Sequence, residues 1–275
     1  MKTSHFKIAV LSFAIGAGCL SPIWADEFKG ARDYNPHFGD NGWDGNIGLG
    51  AFYQHGNFYL GSEKDHNELT ILSEASYVND NFFFSAGEDE FIFGYTLARD
   101  ENWVIDAVLG PKFAIDFDDE IYDQKIRHLE ERDLDAQLGP RFTWYGDNNR
   151  VSFSITQDIS DRHDGYSASA TYLHEWQLQN WLLTGRAGVI FISDKMANHI
   201  VGVSAAEATA SIAQYKADSS GHLLGLALKA EYPVSEHWIF ETSATISEFS
   251  KEFDASPITS NDSVTTLVTG LKYQF

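Results

Sequence analysis

The sequence predicts an all-β fold, a transmembrane antiparallel up-and-down β-barrel that follows a cleaved signal peptide. Three observations support it: apolar and polar residues alternate along segments of about ten residues or more, the clearest of the apolar faces contain no Asp, Glu, Lys or Arg, and aromatic side chains gather at the segment ends. A strand that crosses a bilayer at a tilt needs ~9–11 residues, whereas an ordinary globular strand has ~5–6.

The composition excludes several classes of protein. The 275 residues include 40 Asp+Glu against 19 Lys+Arg, giving a formal net charge of −21. Binding nucleic acid requires Lys and Arg to neutralise phosphates, so we expect no nucleic-acid partner. The 22 glycines and 14% aromatic residues are too many for a helical bundle or a disordered acidic chain.

Residues 1–25 have the features of a secretory signal peptide. Lys2 and Lys7 precede an apolar stretch, and Ala25 is a suitable last residue before cleavage. The segment contains Cys19, the single cysteine, so the mature chain would have no disulfide. A lipoprotein signal acylated at Cys19 is the alternative. Residues 26–43 are then expected to form a periplasmic N-terminal segment, and residues 44–275 the barrel.

Alternation with a period of two predicts the strands. Between residues 151 and 159, for example, Val, Phe and Ile alternate with Ser and Thr, so one face is apolar and the other polar. The same pattern predicts twelve strands, at 44–54, 67–78, 81–87, 90–98, 103–116, 134–145, 150–159, 165–177, 181–193, 221–232, 237–248 and 264–275.

The number of strands depends on one segment. Taking Phe82 to Leu97 as a single bulged strand gives eleven strands, whereas a turn at Glu88 and Asp89 gives twelve. Bacterial barrels have even counts, with short periplasmic turns and long outer loops. Twelve strands with both termini in the periplasm satisfy this rule, because the connections then alternate between short and long. A ten-stranded barrel is the alternative.

The polar faces carry charges that we expect inside the barrel, where opposite charges pair more often than they line a pore. These are Asp106, Lys112, Arg141, Arg186, Lys229, Glu231 and Glu241. The last strand ends on an aromatic residue, which resembles the signal by which the barrel-assembly machinery receives outer-membrane barrels. Its apolar face includes Leu267, Leu271, Tyr273 and Phe275.

No catalytic, cofactor-binding or metal site is predicted. His163 with Asp164, Ser167 and Ser169 comes nearest to a hydrolase cluster, but the Asp-Gly pair at 164–165 is ordinary turn chemistry, which we prefer. The acidic segment 116–133 lacks the spacing of a calcium loop, so a solvated loop is preferred there. Alanines between 205 and 213 predict a short helix within the outer loop 194–220.

Short glycine and aromatic motifs follow one another in a familiar order along the mature chain. They are Gly48-Leu49-Gly50-Ala51-Phe52-Tyr53, Gly61-Ser62, Phe82-Phe83-Phe84-Ser85, Gln157-Asp158-Ile159, His163-Asp164-Gly165, Gly202-Val203-Ser204, Glu236-His237-Trp238, Ser256-Pro257-Ile258 and Gly270-Leu271-Lys272-Tyr273-Gln274-Phe275. In this succession the sequence resembles the MipA/OmpV family of outer-membrane proteins.

The resemblance implies a barrel in the outer membrane of a Gram-negative cell envelope. It also implies a non-enzymatic scaffold that joins a lytic murein transglycosylase to a murein synthase in peptidoglycan metabolism, or a role in envelope stress. A small diffusion channel and a surface adhesin are the alternatives, and a barrel hydrolase is less favoured. Other expected partners are outer-membrane lipid, lipopolysaccharide and the barrel-assembly machinery.

Overall fold

The computed structural model describes residues 41–61, 65–87, 91–112, 115–117 and 122–275. The predicted signal peptide, residues 1–25, lies outside the described residues, as does nearly all of the segment 26–43. Within the described part of the chain, no helix is long and apolar enough to cross a membrane.

Twelve antiparallel strands close into a single barrel, which confirms the predicted fold and strand count. Consecutive strands are neighbours, and β1 pairs with β12 from Asn46↔Gln274 to His55↔Thr265 to close the sheet. The strands are β1 Gly42–His55, β2 Asp65–Asn79, β3 Phe82–Ala86, β4 Phe91–Asp100, β5 Trp103–Pro111, β6 Ala136–Tyr145, β7 Asn149–Asp158, β8 Tyr166–Leu178, β9 Trp181–Ile192, β10 Gly221–Pro233, β11 Trp238–Phe249 and β12 Ser263–Gln274.

The barrel wall is apolar on the outside. In β10, Leu224, Leu226 and Leu228 are 43%, 62% and 54% exposed, while the alternating Leu223 and Lys229 are buried. Successive strand residues face opposite sides of a sheet. In β10, leucine side chains face outward and a lysine faces inward, which is the reverse of the arrangement in a water-soluble barrel. A barrel surrounded by lipid hydrocarbon requires this arrangement.

Aromatic side chains collect at the end of the barrel that carries the short turns. Trp43 packs on Tyr77 with ring centroids 4.9 Å apart, and Trp238 packs on Tyr273 at 5.3 Å. Trp181 similarly contacts Tyr232 at 5.1 Å. Amphipathic rings prefer the membrane–water interface, so this belt is expected to mark one edge of the bilayer.

The long loops fold into the opposite end of the barrel, and here the strand predicted at 103–116 is too long. β5 ends at Pro111, and Ile115 instead forms an isolated bridge with Arg132. Ile115 and Phe117 continue the alternation of β5, yet they are buried in an apolar cluster at the mouth. Their hydrophobicity reflects this packing and not contact with lipid.

The described parts of the long loops contain two short helices, α1 Asp194–Val201 and α2 Lys251–Asp254. The alanines between 205 and 213 predict a helix, but α1 ends before them. Ser193 caps α1 by accepting a hydrogen bond from the Met196 N–H, and the apolar side of the helix faces the mouth. Capping and burial of an apolar face therefore outweigh the helix propensity of alanine.

Gly139 in β6 gives a direct test of this strand packing. A Cβ atom at Gly139 would lie 1.8 Å from the Ile155 carbonyl oxygen of β7, a backbone atom that cannot move aside. We expect Gly139→Ala to destabilise the barrel by about 1–3 kcal/mol, measured as a lower yield of the heat-modifiable folded band on gels. Gly87→Ala is the control, because its Cβ would meet only the Glu74 Cγ at 3.6 Å; equal yields for the two variants would contradict the described β6–β7 packing.

Candidate functional site

A cluster of five charged side chains lies inside the barrel near the short-turn end. We call it the lysine–glutamate cluster; its members are Glu74, Lys229, Glu231, Glu241 and Lys272. They come from β2, β10, β11 and β12, which lie together because the barrel closes between β1 and β12. Both lysines are almost completely buried, at 1% and 2% exposure.

Each lysine in the cluster contacts more than one carboxylate. Lys229 Nζ lies 2.7 Å from Glu241 Oε2 and 3.1 Å from Glu231 Oε1. Lys272 Nζ also pairs with Glu241, and it lies 3.5 Å from Glu74 Oε1 and 3.6 Å from Glu231 Oε1. Because each lysine is attracted by more than one carboxylate, the attraction offsets the hydration free energy that the charges lose on burial.

The other predicted interior charges have different surroundings. Asp106 and Arg141 are buried cross-strand neighbours on β5 and β6, with Arg141 Nη2 3.4 Å from Asp106 Oδ2. The Arg141 guanidinium also lies 5.3 Å from the centre of the Phe83 ring. Arg186 is buried on β9. Lys112 was predicted to lie inside the barrel, but it follows the end of β5 and is exposed. It therefore belongs neither to the lysine–glutamate cluster nor to the Asp106–Arg141 pair.

Glu74 and Lys272 are not among the interior charges predicted from the sequence. Lys272 occupies a polar-face position between Leu271 and Tyr273, and Glu74 holds the same kind of position in β2. The alternation of apolar and polar residues therefore indicates that both side chains face the barrel interior. The Asn46 side chain donates to Glu74 at 2.6 Å and orients it. The C-terminal residues Leu267, Leu271, Tyr273 and Phe275 are all at least 37% exposed.

An apolar cluster, which we call the mouth cluster, closes the long-loop end. Phe58 and Tyr59 contribute from the loop after β1, Phe117 and Ile126 from the loop after β5, Met196 from α1 in the loop after β9, and Phe253 from α2 in the loop after β11. The Phe58 ring centroid lies 4.5 Å from that of Phe249 and 5.7 Å from that of Phe253. Four long loops therefore pack together as one hydrophobic core over the barrel opening.

A buried ion pair joins two of these loops. Arg132 Nη1 lies 2.9 Å from Glu207 Oε1, and Arg132 Nη2 donates to the Gly202 carbonyl at the end of α1. Glu207 also accepts a hydrogen bond from the Ser204 N–H at 2.8 Å. Burial tends to raise the pKa of Glu207, but these hydrogen bonds and the positive charge of Arg132 outweigh it, so the pKa lies below its usual range.

His163 is held by Asp135 and not by the neighbouring Asp164. Its Nε2 lies 2.9 Å from Asp135 Oδ2, and its Nδ1 accepts the Gly165 N–H at 2.8 Å. Both ring nitrogens are therefore occupied. Ser167 bonds to Gln137 and Ser169 to Ser154, so the structure does not assemble His163, Asp164, Ser167 and Ser169 into a hydrolase triad.

The turn prediction for residues 161–165 agrees with the structure. Asp158 accepts hydrogen bonds from the backbone N–H groups of Arg162, His163 and Asp164, and Asp161 and Asp164 have φ values of 58° and 52°. Part of the acidic segment 116–133 lies outside the described residues. Among the residues that are described, no group of three or more His, Cys, Asp or Glu is arranged to hold a metal ion.

Comparison with known proteins supports the barrel architecture and its location. The family model described as MltA-interacting protein MipA matches residues 47–275. A protein of Escherichia coli strain K12 named "Putative outer membrane protein YiaT" is 26% identical over 233 residues, which cover 83% of this chain and 90% of that protein. The O157:H7 protein of the same name gives the same values.

Solved outer-membrane proteins are also similar in part. An outer membrane channel from Pseudomonas putida F1 aligns over 88% of this chain and 98% of its own, with a TM-score of 0.40 and 10% identity. OmpT of Vibrio cholerae aligns over 86% of this chain and 99% of its own, with a TM-score of 0.37 and 8% identity.

Proposed function

The chain belongs to the MltA-interacting protein MipA family and is an outer-membrane β-barrel, and from that premise we propose that it is a non-enzymatic scaffold for murein-modifying enzymes. Its family is described by an interaction with MltA, and the partner we propose for this chain is of the same class, a lytic murein transglycosylase together with a murein synthase.

One observation carries the proposal: buried side chains of the protein itself occupy the barrel interior at both ends. The lysine–glutamate cluster occupies the short-turn end, and the mouth cluster packs across the long-loop end. A barrel interior occupied by paired charges and packed aromatic rings suits a structural scaffold better than a channel. This favours a scaffold over the alternative of a small diffusion channel.

The scaffold role requires the short-turn end to face the periplasm, where murein lies, with both termini on that side. The aromatic belt near the short turns, which includes Trp43, Trp181 and Trp238, would then sit at the inner surface of the outer membrane. Leu267, Leu271, Tyr273 and Phe275 point outward from the last strand, where the barrel-assembly machinery could recognise them. Outer-membrane lipid and lipopolysaccharide would contact the remaining outer wall.

Site-specific photo-crosslinking in intact cells tests the scaffold and its orientation together. A photoreactive residue at Asn148 or Glu236, in two short turns, is expected to capture a murein transglycosylase or synthase. The same probe at Lys195, exposed on α1, is the matched control and should capture neither. Capture from Lys195 alone would mean that the long-loop end, and not the short-turn end, faces the periplasm. Capture of no murein enzyme at any position would contradict the scaffold role.

A further inference from the structure

Helix α1 packs against the mouth cluster with one polar atom left unsatisfied. Its residues Met196, Ala197, Ile200 and Val201 are each no more than 1% exposed. His199 lies between them in sequence; one ring nitrogen is hydrogen-bonded to the Asp133 backbone. Among the described residues, its Nε2 is buried without a hydrogen-bond partner. A neutral imidazole tolerates this, because that nitrogen carries no proton in this tautomer.

Two loops present charged or titratable groups to His199. The loop after β7 contributes His163, whose ring centroid is 5.1 Å from that of His199. The loop after β5 contributes Arg132 and Asp135, which act on His199 electrostatically. The Asp135 carboxylate is already hydrogen-bonded to His163 and Gln137.

The remaining charged side chains near α1 are either exposed to solvent or already paired with groups other than His199. Asp158 lies 3.8 Å from His163 Nδ1 and accepts backbone hydrogen bonds in the 160–164 turn. On α1 itself, Asp194 and Lys195 are exposed, and Lys195 Nζ lies 3.6 Å from Asp164. Glu207, in the same loop as α1, is paired with Arg132.

We propose that α1 is an acid-released lid, in which protonation of His199 at mildly acidic pH weakens the docking of the helix on the mouth cluster. The imidazolium would carry a second N–H, at Nε2, into a buried position that offers no acceptor among the described residues. It would also place a new positive charge near Arg132. Both costs disappear when the helix leaves the mouth and the ring returns to water.

The direction of the pH effect follows from the two states of the lid. Burial, followed by the effects of His163 and Arg132, lowers the pKa of His199 from its ordinary value of 6.5 while α1 is docked. Above pH 6.5 the ring is neutral in both states and docking has its full strength. Below pH 6.5 the released state takes up a proton that the docked state refuses, so docking weakens as the pH falls.

Release would expose the apolar side of α1 and part of the mouth cluster at the long-loop end. It would leave the lysine–glutamate cluster in place at the other end of the barrel, so we expect exposure of an apolar surface and no increase in conductance. The inference does not depend on the scaffold role, since it concerns the opposite end of the molecule.

A spin label on α1 measures the release. In a Cys19→Ala background, Lys195→Cys provides one exposed labelling site on the helix. Between pH 7.5 and 5.0 we expect the docking equilibrium to shift toward release by at most about 30-fold, the limit for a group with an ordinary pKa of 6.5. The shift is measured as growth of the mobile fraction in the electron paramagnetic resonance spectrum.

Histidine variants identify the group responsible. His199→Gln should remove the pH response, and His199→Leu provides a second neutral variant if the first folds poorly. His237→Gln, at the short-turn end, should keep the full response. The proposal is overturned if label mobility is independent of pH in the Lys195→Cys protein, or if the response survives in His199→Gln and is lost in His163→Gln.

Discussion

Lys272→Met is expected to lower the free energy of unfolding by about 3–5 kcal/mol, the cost of removing one partner from a buried ion pair. Lys272 is 2% exposed and contacts Glu74, Glu231 and Glu241. Its loss leaves three carboxylates facing Lys229 as the remaining lysine of the cluster. Urea unfolding of the barrel in lipid vesicles, followed by tryptophan fluorescence and by heat-modifiable gel mobility, measures the change.

Two further variants separate the electrostatic cost from the loss of side-chain packing. Adding Glu241→Gln to Lys272→Met removes one of the orphaned carboxylates, so the double variant should be more stable than the single one. Lys251→Met replaces an exposed lysine at the start of α2 and should change stability by no more than about 0.5 kcal/mol. A single variant as stable as the unmodified protein would show that the cluster does not hold the barrel together.

Leu226→Arg is expected to destabilise the barrel in a bilayer by about 2–4 kcal/mol, the penalty for arginine at mid-depth on a lipid-facing surface. Leu226 lies near the middle of β10 and is 62% exposed. A residue so exposed would accept arginine at almost no cost in a water-soluble barrel. The same unfolding experiment in vesicles therefore tests directly whether this wall faces hydrocarbon.

His222→Arg is the matched control, because His222 is exposed on the same strand near its long-loop end, where the penalty falls to about 0–1 kcal/mol. A cost that is large at Leu226 and small at His222 would locate the hydrocarbon layer along β10. Equal and small costs at both positions would mean that the wall is in contact with water.

The sequence by itself determined the architecture. Alternation is a local property: a leucine such as Leu226 and the lysine at 229 reveal which side of the strand faces lipid without any knowledge of the partner strands. The alternation of short and long connections then required an even number of strands. An even number in turn required residues 82–97 to be divided into the two strands β3 and β4. Strand ends were correct to within a few residues, except at β5.

The tertiary structure alone decided which side chains meet. Glu74 and Lys272 are 198 residues apart, and they meet because β1 pairs with β12 when the barrel closes. Ile115 and Phe117 fit the outward alternation of β5, yet the loop that carries them folds into the mouth. His163 could be assigned to Asp135 only once the loops after β5 and β7 had packed together. Local periodicity records which face of a strand is apolar, whereas contacts between distant segments depend on barrel closure and loop packing, which no short stretch of sequence contains.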